Sequence, residues 1–318
     1  MTRSAGLLDR RLLFVTGKGG VGKTSVASAI AVLAAEHGKR TLICEVDSKG
    51  DLADFFGVGR LKFQPTELRE NLFGMAMDTE ESLKEYLRLF LKIPLVSRLG
   101  VLASTFDFLA NAAPGVKEVL TVGKLTHEVR ENNYDLVVVD ASATGHVVGQ
   151  LASPVAINDL VKVGLVRNQT DWMIEILTDT TQTGVVVVTA PEEMPVAETL
   201  ELIDRLGSET DIGIAAVVVN RVLPELFSRD DEALFAELRE EEPLEVLRDE
   251  IGPGVDVVLD GAEMAVSLRR GRLPHLTRLR DGLPSTIELL YMPYLFHRSH
   301  GIRATARIAE ELGAELGY

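Results

Sequence analysis

Gly17-Lys18-Gly19-Gly20-Val21-Gly22-Lys23-Thr24 is the stretch on which the reading of this chain turns. It satisfies G-x-x-x-x-G-K-[ST], in which glycines let backbone N–H groups wrap a polyphosphate closely. Gly17, Gly19, Gly20, Val21 and Gly22 then form the cradle. Lys23 reaches the β- and γ-phosphates, and the Thr24 hydroxyl takes Mg²⁺. The flanks agree. Arg11 to Thr16 reads as a strand, and Thr24 to Ala35, rich in alanine and including Ser25, reads as a helix whose positive end faces the anion. This is a nucleotide-binding loop.

Outward from the loop, short β-branched runs alternate with helical patterns, which predicts βα units and a mostly parallel sheet. Strands are expected at Leu12–Thr16, Thr41–Val46, Leu72–Met77, Asp135–Val139, Gly184–Thr189, Ala215–Asn220 and Ile287–Met292. Runs such as Val137-Val138-Val139 and Val185-Val186-Val187-Val188 suit strands covered on both faces. The expected fold class is α/β, a doubly wound, mostly parallel sheet of the P-loop NTPase kind, as one domain over 1–318. Two apolar helical insertions interrupt it, at about 80–132 and 151–181. The acidic stretch from Asp230 to Asp249 reads as a solvated helical face.

Composition narrows the partners. The 318 residues carry a net charge of −15, which argues against wrapping nucleic acid or lying on an anionic bilayer. No uncharged apolar run is long enough to form an integral membrane segment, and Met1 to Arg10 has no signal-peptide pattern, so a cytoplasmic location is expected. The single cysteine, Cys44, lies in an apolar run and reads as a small core residue.

Two expected strands end near a carboxylate. Asp140, after Leu136-Val137-Val138-Val139, fits a metal or metal-water ligand, with helix N-cap as the alternative. Asp47 fits a residue that accepts a hydrogen bond from the attacking water, with the same alternative. The loop Ala141-Ser142-Ala143-Thr144-Gly145-His146 is placed to move with the γ-phosphate. Asn220, ending Val217-Val218-Val219, reads either as an adenine-edge contact or as a turn residue.

Lys18, directly after the first glycine, resembles the extra lysine of the deviant loop in the MinD, ParA and nitrogenase-iron-protein superfamily. Within it the chain is most similar to the arsenical pump-driving ATPases and the ATPases that deliver tail-anchored membrane proteins. Asp47-Ser48-Lys49-Gly50-Asp51-Leu52-Ala53-Asp54 resembles their D-P-A-H-x-L-x-D first switch, and Asp140 to His146 their D-T-A-P-T-G-H second switch. Ala190 to Thr199 is similar to a later block ending in E-T. Asn220-Arg221-Val222-Leu223-Pro224 and Met292-Pro293-Tyr294 fall where adenine contacts occur, which implies Asn220 and Pro293.

The resemblance implies a Mg²⁺-dependent ATPase working as a homodimer or a heterodimer with a paralogue. Lys18 and Asp47 are its catalytic residues, Lys18 acting on the partner's nucleotide. The first switch departs from the family at Ser48 and Gly50. One cysteine cannot build the arsenite site or a paired-cysteine zinc clamp. The expected client is therefore not a thiophilic metal, and the apolar residues from Tyr86 to Leu109 with Trp172 to Leu177 read as a groove that shields a hydrophobic helix or membrane protein. Ordinary core packing is the alternative for those residues. A positioning or partitioning ATPase acting on membrane or DNA is the other functional class.

Overall fold

Apolar runs with a two-residue period give the sheet its two buried faces. In β1 (Leu12–Gly17), Leu13 and Val15 pack to one side and Leu12 and Phe14 to the other. The computed structural model describes residues 6–47, 50–91, 115–161, 163–296 and 301–318. The remaining strands are β2 (Thr41–Glu45), β3 (Thr66–Arg69), β4 (Leu72–Ala76), β5 (Leu136–Asp140), β6 (Thr183–Thr189), β7 (Ile214–Val222) and β8 (Glu288–Pro293). Their order across the sheet is β3-β4-β2-β5-β1-β6-β7-β8. Every described neighbour pair is parallel except β3 with β4. From β1 the chain leads to one side of the sheet, to β2, and from its neighbour β6 to the other, to β7, so the carboxyl end of β1 lies at the switch point where such folds bind ligands.

All seven expected strands form, with ends shifted by one or two residues. The eighth, β3, is an addition. Its four residues Thr-Glu-Leu-Arg lie on an edge and carry charge, so no apolar alternation announces them.

One face of the sheet is covered by α1 (Lys23–Glu36), α2 (Asp51–Phe56) and α11 (Ile302–Leu316), with Ile30, Leu52, Ala309 and Leu312 buried there. The other carries α4 (Val116–Arg130), α5 (Thr144–Leu160), α6 (Leu165–Thr178) and α7 (Glu193–Glu209). Between β7 and β8 run α8 (Arg229–Leu238), α9 (Glu241–Ile251) and the long α10 (Val255–Gly282). The acidic helices α8 and α9 bury none of their residues, as a solvated face requires.

The first helical region contains α3 (Thr79–Leu91) and α4, while its apolar centre, 92–114, lies outside the described residues. Lys124 of α4, almost fully buried, pairs with Glu128 at 2.6 Å and with Glu85 of α3 at 2.9 Å. Burial alone would lower the Lys124 pKa. Its bonds to Glu128 and Glu85 outweigh that and hold it above the ordinary lysine value.

The second region does not begin at Leu151, which falls inside α5. Both of its helices belong to the layer on the sheet, and Ile176 and Leu177 join the main core. Arg130 of α4 stacks over the Trp172 ring of α6, 4.8 Å from its centroid.

Candidate functional site

The phosphate loop leaves β1 through Gly17, whose backbone passes very close to β6. A Cβ at Gly17 would lie 2.1 Å from the Val188 carbonyl oxygen, so a side chain there forces the strands apart. The loop enters α1 through Gly22, at φ +96°, where a Cβ would meet the Asn220 side-chain nitrogen at 2.3 Å. Asn220 sits near the end of β7. Its Nδ2 donates to the Val21 carbonyl oxygen at 2.8 Å, and its Oδ1 accepts from the Arg221 N–H at 2.9 Å. In this state its amide therefore buttresses the loop. Pro293 ends β8 beside Val222 of β7, where the Tyr294 N–H bonds the Val222 carbonyl at 2.8 Å.

Helix α1 begins with glycine as its cap, receives no side-chain cap and has no acidic residue in its first turn. The N–H groups of Lys23, Thr24 and Ser25 are thus presented to an anion at the positive end of the helix dipole. The Lys23 ammonium lies 3.4 Å from the Lys18 carbonyl oxygen, folded over the cradle.

Thr24 and Asp140 meet beneath the loop. The Thr24 hydroxyl donates to Asp140 Oδ2 at 2.7 Å. Asp140 is 8% exposed, and its Oδ1 is buried without a hydrogen-bond partner. Burial pushes its pKa up to about 6, against the opposing pull of the Thr24 hydrogen bond and the Lys23 charge. An orphaned carboxylate oxygen beside a hydroxyl is a hard-oxygen donor set that suits Mg²⁺. No group of three or more acidic, histidine or cysteine ligands occurs among the described residues. A magnesium ion held by few protein oxygens, with the rest from phosphate and water, fits that count.

The two segments expected to act as switches touch. Ser142, just after β5, donates through Oγ to Asp47 Oδ1 at 2.9 Å, and its carbonyl accepts from the Thr16 hydroxyl at 2.8 Å. Asp47 is exposed, and residues 48 and 49 lie outside the described set. His146 is exposed in the first turn of α5, its N–H bonded to the Ala143 carbonyl.

Lys18 points along its own chain. Its ammonium forms an ion pair with Glu198 Oε1 of α7 at 2.6 Å. Glu198 stands in the block ending Glu198-Thr199, whose family likeness was visible in the sequence without suggesting a role for the carboxylate.

A glycine cradle leaving the central strand, a lysine folded over it and a half-buried threonine bonded to a buried aspartate at a strand end define a P-loop nucleoside triphosphatase. The model of the family described as Anion-transporting ATPase matches residues 10–175 and 159–249, and this chain belongs to that family. It is 33% identical over 301 residues to "ATPase BagA" of Mycobacterium tuberculosis, covering 90% of this chain and 86% of that protein. It is 31% identical over 247 residues to "Putative arsenical pump-driving ATPase 2" of Aquifex aeolicus, covering 68% and 81%. With "ATPase ASNA1 homolog 1" of Paramecium tetraurelia it shares 30% over 252 residues, covering 66% and 74%. ATP hydrolysis is the activity of this family.

Proposed function

We propose that the chain hydrolyses ATP with Mg²⁺ as a dimer, and that closing and opening the dimer governs its hold on a hydrophobic client. The cradle N–H groups and Lys23 bind the phosphates; Thr24 and Asp140 would hold Mg²⁺, which would supply positive charge to offset that of the phosphates. Asp47 accepts a hydrogen bond from the attacking water and fixes its line toward the γ-phosphorus. Water adds there as the bond to the ADP oxygen breaks, releasing ADP and phosphate. Lys18 leaves Glu198 on closure and reaches the partner's phosphates. A cation supplied in trans this way is worth roughly 10³–10⁵ in rate.

The observation that carries the client reading is an apolar cavity of about 200 Å³. It lies among α3, α4, α5 and α6, lined by Leu83, Tyr86, Val119, Leu120, Ile157 and Met173. A photoreactive residue replacing Tyr86 is expected to crosslink a synthetic apolar helix of about 20 residues, a membrane-spanning length, only with ATP and Mg²⁺. Absence of ATP-dependent crosslinks overturns the reading in favour of internal packing.

Other readings have less support. An arsenical pump calls for soft thiolate ligands. Cys44 is fully buried and its thiol pKa is pushed well up, chiefly by that burial, so it stays protonated. A membrane-positioning role calls for a free basic helix, whereas α11 buries Ala309 and Leu312 in the core it shares with α1.

A further inference from the structure

Glu45, the last residue of β2, has no place in the phosphate cradle, yet it is only 4% exposed. A carboxylate that deep needs donors. Its Oε1 accepts from the Gly50 N–H at 2.9 Å and from the Asp51 N–H at 3.0 Å. Those are the first N–H groups of α2, whose cap Gly50, at φ +88°, has no side chain of its own to offer. Glu45 thus caps the helix from a neighbouring strand, filling the concave pair of donors that a left-handed residue creates before a helix.

The position of Glu45 is itself fixed. Its backbone carbonyl accepts from the Met77 N–H at 2.8 Å, and its Cα lies in register with that of Asp140 across β2 and β5. Asp47 is held by Ser142, and Gly50 and Asp51 are held by Glu45. Beside the Glu45 contact is a cavity of about 480 Å³, bordered by Glu45, Gly50, Arg60, Phe63 and Met77. It leaves room for the start of α2 to shift when the carboxylate lets go.

We propose that Glu45 is a positioning residue for hydrolysis: by capping α2 it sets where Asp47 meets the attacking water, although it touches neither water nor nucleotide. This rests on the reading of Asp47 as the residue that orients the water. Glu45→Ala is expected to lower kcat about tenfold, the scale of one charge-assisted hydrogen bond, with ATP affinity unchanged. Glu45→Gln keeps an acceptor oxygen and is expected to restore most of the rate. Hydrogen exchange of the Gly50 and Asp51 amides should quicken in Glu45→Ala and stay slow in Glu45→Gln.

Equal losses in both variants, or ATP affinity falling in step with kcat, overturn the proposal. Asp47→Asn separates the two ideas. If Asp47→Asn loses turnover while Glu45→Ala keeps it, the Glu45 proposal alone fails. Wild-type turnover in Asp47→Asn removes the Asp47 reading and the proposal with it.

Discussion

Asp140 gives one oxygen to Thr24 and buries the other with nothing to bond, an arrangement that favours the ligand over the empty protein. Burial raises its pKa from 3.8 to about 6. Below the unfolded value both states hold the proton and there is no penalty. Between that value and about 6 the native state holds more protons, so stability falls as pH rises through the window. The loss amounts to roughly 3 kcal/mol by pH 7. Asp140→Asn is therefore expected to exceed the wild type in stability at pH 7, with the gap closing near pH 4. Urea unfolding in a chelator measures this. The same variant should lose about 100-fold in kcat, several kcal/mol of charge stabilisation being forfeited.

The two lysines of the loop divide by role at the same scale. Lys18→Ala is expected to bind ATP nearly as the wild type does and to stop hydrolysis, whereas Lys23→Ala loses both, as equilibrium binding and phosphate release would register. The cradle and Asp140 were legible in the sequence because backbone geometry demands glycine and a strand end places an acid. Glu198 and Ser142 were not. Their partners lie 180 and 95 residues away, and only the fold brings them together.

Among the elements, α3 and α4 are joined by charge as well as by apolar contact. Removing one member of a buried ion cluster strands the others, so Lys124→Ala is expected to cost about 3 kcal/mol. Denaturant unfolding would report it, while the phosphate loop, on separate elements, should keep its ATP affinity. The strands β5 and β6 were plain from their valine runs, which both sheet faces bury. The edge strand β3 had no such signal, and α10 runs unbroken through Gly261, Gly271 and Pro274, residues that weaken a helical pattern in the sequence. The start of α5 sits inside the second switch, so a reading based on apolar density placed the boundary several residues late.

For the molecule as a whole, the cis pairing of Lys18 with Glu198 means that assembly and catalysis are one event in the proposed scheme. Neither Lys18→Ala nor Lys23→Ala should turn over alone. Mixed in equal amounts, half the dimers pair a protomer that binds ATP with one that supplies the lysine. About a quarter of wild-type activity is then expected, from one working site in half of the dimers. A mixture as inactive as its components would mean that Lys18 serves its own chain.

The chain contains one tryptophan, and it lies under Arg130 where α4 meets α6. The indole emission of the protein accordingly comes from a single known location, packed against the core of the sheet and one residue before Met173, which lines the apolar cavity. A guanidinium drawn away from that ring changes the brightness and colour of the light without any attached dye. The protein carries its own optical gauge of whether those two helices part.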